Sequence, residues 1–111
     1  MPYISQARRK YFDSYINGLV NELYNTGTEY GTRDPGELNY VLTKIALGYL
    51  YQKRDGKIVH APRYAEMNEV IGVLESVKSE FYRREVSPYE DEKILTHGDV
   101  YFGRKRKKIK Q

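Results

Sequence analysis

Between residues 5 and 24 the side chains of Phe12, Tyr15, Ile16, Leu19, Val20 and Leu23 recur three and four positions apart, while Arg8, Arg9, Asp13, Asn17 and Glu22 fall elsewhere. That spacing lays one apolar stripe along a helix and predicts a first helix over 5–24. Ser5 is a suitable N-cap, and Asn25-Thr26-Gly27 supplies a stop. Residues 26–34 are rich in turn formers and read as a loop. Asp34-Pro35-Gly36-Glu37 then marks a start. It places an acceptor at the N-cap, a ring without an N–H at the first helical position, and a carboxylate three residues on. A second helix follows from Pro35 to about Gln52, with Leu38, Val41, Leu42, Ile45, Ala46 and Tyr49 on one face. Leu47, Leu50 and Tyr51 widen its apolar surface, which predicts burial on a second side.

Lys53-Arg54-Asp55-Gly56-Lys57 is a turn signal, and the Lys57–His60 stretch reads as a short extended piece, so a small hairpin arm is expected near 53–60. From Pro62 a third helix is predicted to about Val86, with Met67, Val70, Ile71, Leu74, Val77 and Phe81 as its stripe. Ser87-Pro88-Tyr89-Glu90 repeats the capping logic of Asp34–Glu37. The chain is therefore expected to break at Ser87 and restart as a short fourth helix, about Pro88 to Thr96, ended by Gly98. The predicted fold is all-α, a compact bundle of three main helices plus a short fourth. Residues 1–103 form one domain around one core, and residues 104–111 a flexible basic tail.

Composition sharpens this picture. A 111-residue chain that is 40% hydrophobic and 31% charged suits a single domain and argues against disorder over most of its length. Twelve Tyr stand against three Phe and no Trp, and Tyr suits half-buried positions at a rim, pocket or interface. The absence of Cys excludes disulfides and thiolate metal sites. No window approaches the roughly 20 apolar residues that span a bilayer, so a cytoplasmic protein with no membrane partner is expected. The net charge of +4 is uneven: Arg104, Lys105, Arg106, Lys107, Lys108 and Lys110 are six of the 19 basic residues. The rest of the chain keeps 13 basic against 15 acidic residues, a net of −2.

Three kinds of chemistry are open to these residues. The first is an anion site: Arg83 and Arg84 at the end of the third helix, flanked by Tyr82 and Tyr89, face the predicted start of the fourth, whose free N–H groups suit phosphate. Asn39, Tyr40 and Lys44 on the second helix would complete a nucleotide pocket, with Tyr40 as a stacking surface. Against this, two arginines at a helix C-terminus also balance its dipole and pair with Glu80, Glu85 or Glu90. The second is metal-dependent hydrolysis through Glu66, Glu69 and the Glu90-Asp91-Glu92 run, in the manner of all-helical nucleotide pyrophosphatases. What a resemblance to those enzymes implies is an ExxE on one helix paired with an ExxD-type motif on the next, and the consecutive carboxylates at 90–92 point in different directions, so no metal and no catalytic residue is assigned. The third is nucleic-acid binding by Arg104, Lys105, Arg106, Lys107 and Lys108 through counterion release. His60 and His97 lie in turns with no nucleophile motif and read as surface or capping residues. No cofactor is expected.

The segments MPYI, GELNYVLTK, EMNEVIGVLE, FYRREVSPYEDEKI and HGDVY together resemble a family of small uncharacterised helical proteins encoded by tailed bacteriophages and prophages. The resemblance spans nearly residues 1–101, and PYEDEKI with the following GDVY is its most specific part. It implies a helical protein of viral or prophage origin acting in the host cytoplasm, and it brings no catalytic residues. The tail has no counterpart in it. Together with the Arg and Tyr cluster, it leads to the expectation of a helical homo-oligomer that sequesters an anionic nucleotide-like ligand and so counters host defence. The alternatives are a nucleic-acid accessory protein acting through its tail and a Mg²⁺-dependent nucleotide hydrolase.

Overall fold

The computed structural model describes residues 2–24 and 33–102, and the 104–111 tail and the 25–32 part of the first loop lie outside them. The fold is all-α apart from one small hairpin. In chain order it comprises α1 (Gln6–Tyr24), α2 (Pro35–Leu50), β1 (Gln52–Arg54), β2 (Lys57–His60), α3 (Tyr64–Phe81), a π-helical turn (Tyr82–Val86) and α4 (Ser87–His97).

Local chemistry accounts for the starts. Ser5 caps α1, its Oγ accepting from the Arg8 N–H at 3.3 Å and its carbonyl from the Arg9 N–H at 3.0 Å. Asp34 caps α2 from an extended conformation (φ −119°, ψ 107°), with Oδ1 accepting from the Gly36 N–H at 2.9 Å and Pro35 at the first helical position. The expected hairpin is present. β1 and β2 pair antiparallel with Lys53 opposite Ile58 and Arg54 opposite Lys57, and the register is irregular between Gln52 and Lys53. Asp55 (φ 53°) and Gly56 (φ 76°) both take positive φ at its turn, the conformation that Asp-Gly supplies in tight hairpins.

The third helix differs from expectation at its end. It does not break at Ser87, which is itself helical (φ −60°, ψ −45°), as is Val86 (φ −82°, ψ −47°), and no side chain caps α4. Instead the Ser87 N–H donates to the Tyr82 carbonyl, five residues back. Proline explains it. Pro88 has no N–H to give to the carbonyl four residues earlier, and its ring crowds that carbonyl. A widened turn upstream relieves the crowding while keeping the helical direction. Helix formers on both sides of Ser87 supply the rest of the drive. At its far end α4 stops at Gly98 (φ 88°), whose N–H donates to the Ile94 carbonyl at 2.8 Å.

The chain divides into two compact units, Met1–Gly72 and Val73–Gln111. The expectation of a buried core is not met within the described residues, none of which is buried. In the first unit Phe12, Ile16, Leu19 and Val20 of α1 and Leu38, Leu42 and Ile45 of α2 are 41–56% exposed. The stripes exist as the spacing predicts. Among the described residues they are left largely uncovered, and enclosing an apolar face takes further packed layers.

Candidate functional site

The second unit holds the cluster that the sequence singled out. Glu80 sits at the hub of its charges: Arg83 Nη2 donates to Glu80 Oε1 and Oε2 at 3.1 and 3.0 Å, and Arg84 Nη1 lies 3.9 Å from Oε1. The two arginines thus share one carboxylate one turn back, the pairing that helical i, i+3 and i, i+4 spacing provides. Their side chains remain 67% and 60% accessible. Because one negative charge holds two positive ones, the trio keeps an excess of one positive charge, carried on two side chains that are more than half exposed.

Tyr82 and Tyr89 do different work. The Tyr82 hydroxyl donates to Glu90 Oε1 at 2.5 Å across the π-helical turn. That hydrogen bond, and then the carboxylate's charge, push the Tyr82 phenol above its ordinary value of 10.0. Tyr89 instead lies under Lys93, whose Nζ is 5.4 Å from the ring centroid. The predicted free helix start beside Arg84 is absent. The Ser87 N–H is spent on Tyr82 and Pro88 has none, so an anion there depends on guanidinium groups rather than on a helix N-terminus.

Asn39, Tyr40 and Lys44 belong to the first unit, on α2, and all three are exposed. Asn39 Oδ1 accepts from the Thr43 hydroxyl at 3.2 Å. Tyr40 lines a groove of about 430 Å³ with Leu19, Leu23, Val41 and the acidic Glu22, Asp34 and Glu37. Three carboxylates make that groove a poor host for phosphate, since like charges repel. Glu37 Oε2 is shut off from solvent without a hydrogen bond. Arg104, Lys105, Arg106, Lys107 and Lys108 lie outside the described residues.

One cluster escaped the sequence reading. Glu66 accepts at Oε1 from the Arg63 backbone N–H (3.2 Å) and the Arg63 Nε (3.1 Å), and His60 Nε2 lies 3.2 and 3.0 Å from its two oxygens. Arg63 is the cap residue just before α3, its carbonyl accepting from the Glu66 and Met67 N–H groups. Glu66 is therefore the third-residue half of a capping box, reaching back to the cap amide. The Arg63 side chain, the Arg63 N–H and then His60 hold its carboxyl at about 2, well below its ordinary 4.5. The signal was the spacing of Glu66 three after Arg63, hidden because Arg is not a capping residue by side chain. Glu66 is thus committed to ending the hairpin and starting a helix. Among the described residues no group of three or more His, Asp or Glu is arranged to hold a metal ion.

Against this geometry stands one family match. The model of a domain of unknown function, DUF6899, matches residues 1–100. The chain belongs to that family. No curated protein and no solved structure matches it. The DUF6899 match covers every described element from α1 to α4. Among the described residues, no helix of this DUF6899 chain is long and apolar enough to cross a membrane.

Proposed function

We propose that this DUF6899 protein is a non-enzymatic binding protein of phage or prophage origin, acting in the host cytoplasm, that captures an anionic nucleotide-like ligand and so withdraws a nucleotide signal from host defence. The observation that supports this reading is the pair of guanidinium groups at Arg83 and Arg84. Glu80 holds both from one side and both remain more than half accessible, so their outward edges are pre-positioned for phosphate oxygens. Tyr82, with its ring half exposed and its hydroxyl fixed by Glu90, offers a face for a base nearby in the chain.

The ligand-binding form is an assembly of copies of this chain. The apolar stripes of α1 and α2 support that part: Leu19, Val20, Leu23, Leu38 and Val41 line two adjoining grooves of about 430 and 290 Å³ in the first unit. Phe12, Ile16, Leu19, Val20, Leu38, Leu42 and Ile45 are each 41–56% exposed, the kind of apolar surface that a partner covers. A second copy brings the same stripe, apolar against apolar, and self-complementary contact is what a two-fold dimer needs.

A thermal-shift panel of cyclic and ADP-ribose-type nucleotides, run beside light scattering on a sizing column, tests both parts. At least one nucleotide is expected to raise the melting temperature of the parent chain and not of Arg83→Ala or Arg84→Ala, and the parent is expected to elute as a dimer or larger. No stabilisation by any member overturns the ligand; a monomer at tens of micromolar overturns the assembly.

A further inference from the structure

The hairpin that follows α2 is a short cationic arm. Its turn is built from Asp55 and Gly56, both at positive φ, and its far end is tied down where His60 Nε2 meets the two Glu66 oxygens at 3.2 and 3.0 Å. Lys53, Arg54 and Lys57 stand on it against Asp55, in a chain whose residues 1–103 are net −2. All three cations are exposed, and among the described residues none of them is ion-paired. The register sets Arg54 directly opposite Lys57. Like charges facing each other across strands cost stability, so nothing within the arm rewards this pairing. Ile58 and Val59, 54% and 56% exposed, add apolar surface beside the charges.

The other end of α2 has the opposite character. The groove of about 430 Å³ carries Glu22, Asp34 and Glu37 beside Leu19, Leu23 and Val41. Glu37 Oε2 is closed off from solvent without a hydrogen bond among the described residues, the kind of buried acceptor that a partner's donor satisfies. Arg33, close by in the chain, lies over the Tyr24 ring and lines the adjoining groove instead. At a rise of 1.5 Å per residue, α2 sets about 20 Å between Glu37 and Leu50, so groove and arm stand at opposite ends of one helix.

From this opposition we infer that the hairpin arm of one copy docks in the acidic groove of a second copy, its three cations facing the three carboxylates and Ile58 and Val59 meeting the groove's apolar side chains. The inference rests on the assembly reading above and names the contact that sets its register. Two-fold pairing with the α2 helices antiparallel brings the last turn of each beside the first turn of the other, so one symmetry operation fills both grooves. Duplex nucleic acid would also attract the arm, but it would leave the acidic groove and its unpaired carboxylate oxygen unanswered.

Sedimentation equilibrium on the full chain reads the outcome. The parent is expected to dimerise, and to do so about threefold or more weakly at about 0.5 M salt than at about 50 mM, because salt screens the facing charges. An arm swap, Arg54→Glu with Lys57→Glu, and a groove swap, Glu22→Lys with Glu37→Lys, are each expected to weaken self-association about tenfold or more, since each sets like charges against one another. Mixing the two variants is expected to recover the parent's affinity as a heterodimer, because every arm then meets a groove of opposite sign, a result that loss of folding could not produce. A monomeric parent overturns the inference together with the assembly. A parent dimer that ignores both swaps, or swaps that weaken it without recovery on mixing, overturns the inference alone, as does duplex DNA that binds the parent and dissociates no dimer while Arg54→Glu with Lys57→Glu abolishes only that binding.

Discussion

The chain writes nearly the same four-residue signature twice, and the two copies fold differently. Asp34-Pro35-Gly36-Glu37 begins a helix: Asp34 is extended and its side chain accepts from the Gly36 N–H. Ser87-Pro88-Tyr89-Glu90 lies inside a helical run, with Ser87 in helical conformation and no side-chain cap. The second residue is proline in both. What differs is the chain before it. Residues 26–33 are turn formers, whereas Glu80–Val86 are helix-compatible and already in register with α3. At Asp34 proline costs nothing, because a first-turn N–H has no helical partner. At Pro88 the missing bond and the ring are accommodated by five residues of π-helix, which keeps the turns on both sides. A capping signature is thus a permission to start a helix, which an upstream helix can override.

The largest test of the comparison exchanges the prolines. Pro88→Ala restores an amide to a helix interior and is expected to raise stability by about 1–3 kcal/mol, with the π-turn reverting to α. Pro35→Ala, at a first helical position, is expected to change stability by less than about 1 kcal/mol. Urea unfolding of the two variants checks this; equal effects would mean that Pro88 begins a helix as Pro35 does. Next in size are the caps. Asp34→Ala is expected to cost about 1 kcal/mol and Ser87→Ala less than about 0.5 kcal/mol, since only the former loses a hydrogen bond. A cost at Ser87 as large as at Asp34 speaks for a break there.

The finest test concerns the third helix start, at Arg63, where the cap is held by Glu66 rather than by a residue with a capping side chain. Its carboxyl titrates at about 2 in the fold against an ordinary 4.5. The folded value is the lower one, so the stabilisation it brings is fully present above pH 4.5 and is lost as pH falls through about 2. Carbon-detected NMR of the Glu66 carboxyl is expected to place its midpoint near 2, moving up in Arg63→Ala, which removes the leading cause. A midpoint at the ordinary value would falsify the cap.

The candidate site divides along the same line. That Arg83 and Arg84 pair with a glutamate one helical turn back was legible, because helical spacing puts Glu80 there whatever the rest of the fold does. That Tyr82 reaches Glu90, eight residues on, was not: the π-turn rotates Tyr82 relative to α4, whereas the capping signature predicts a break at Ser87 between them. His60 read as a surface or capping histidine, and its approach to Glu66 depends on where the hairpin returns the chain. The approach of Glu22 to Tyr40 was equally hidden, since it comes from α1, whereas Glu37 lies one turn before Tyr40 on α2.

Sequence by itself determined the all-α class, the Asp-Gly hairpin, the caps at Ser5 and Asp34, and the apolar stripes. Each of these rests on bonds or periodicities within a few residues, so local chemistry is sufficient to choose them. Only the tertiary structure decided that Ser87-Pro88 continues a helix, that Glu66 is bound by His60 and Arg63, and that the stripes of α1 and α2 are left open within their unit. These outcomes turn on competition between neighbouring segments and on what covers an apolar face. Spacing along one helix records that a face is apolar, and leaves its partner to be supplied by packing.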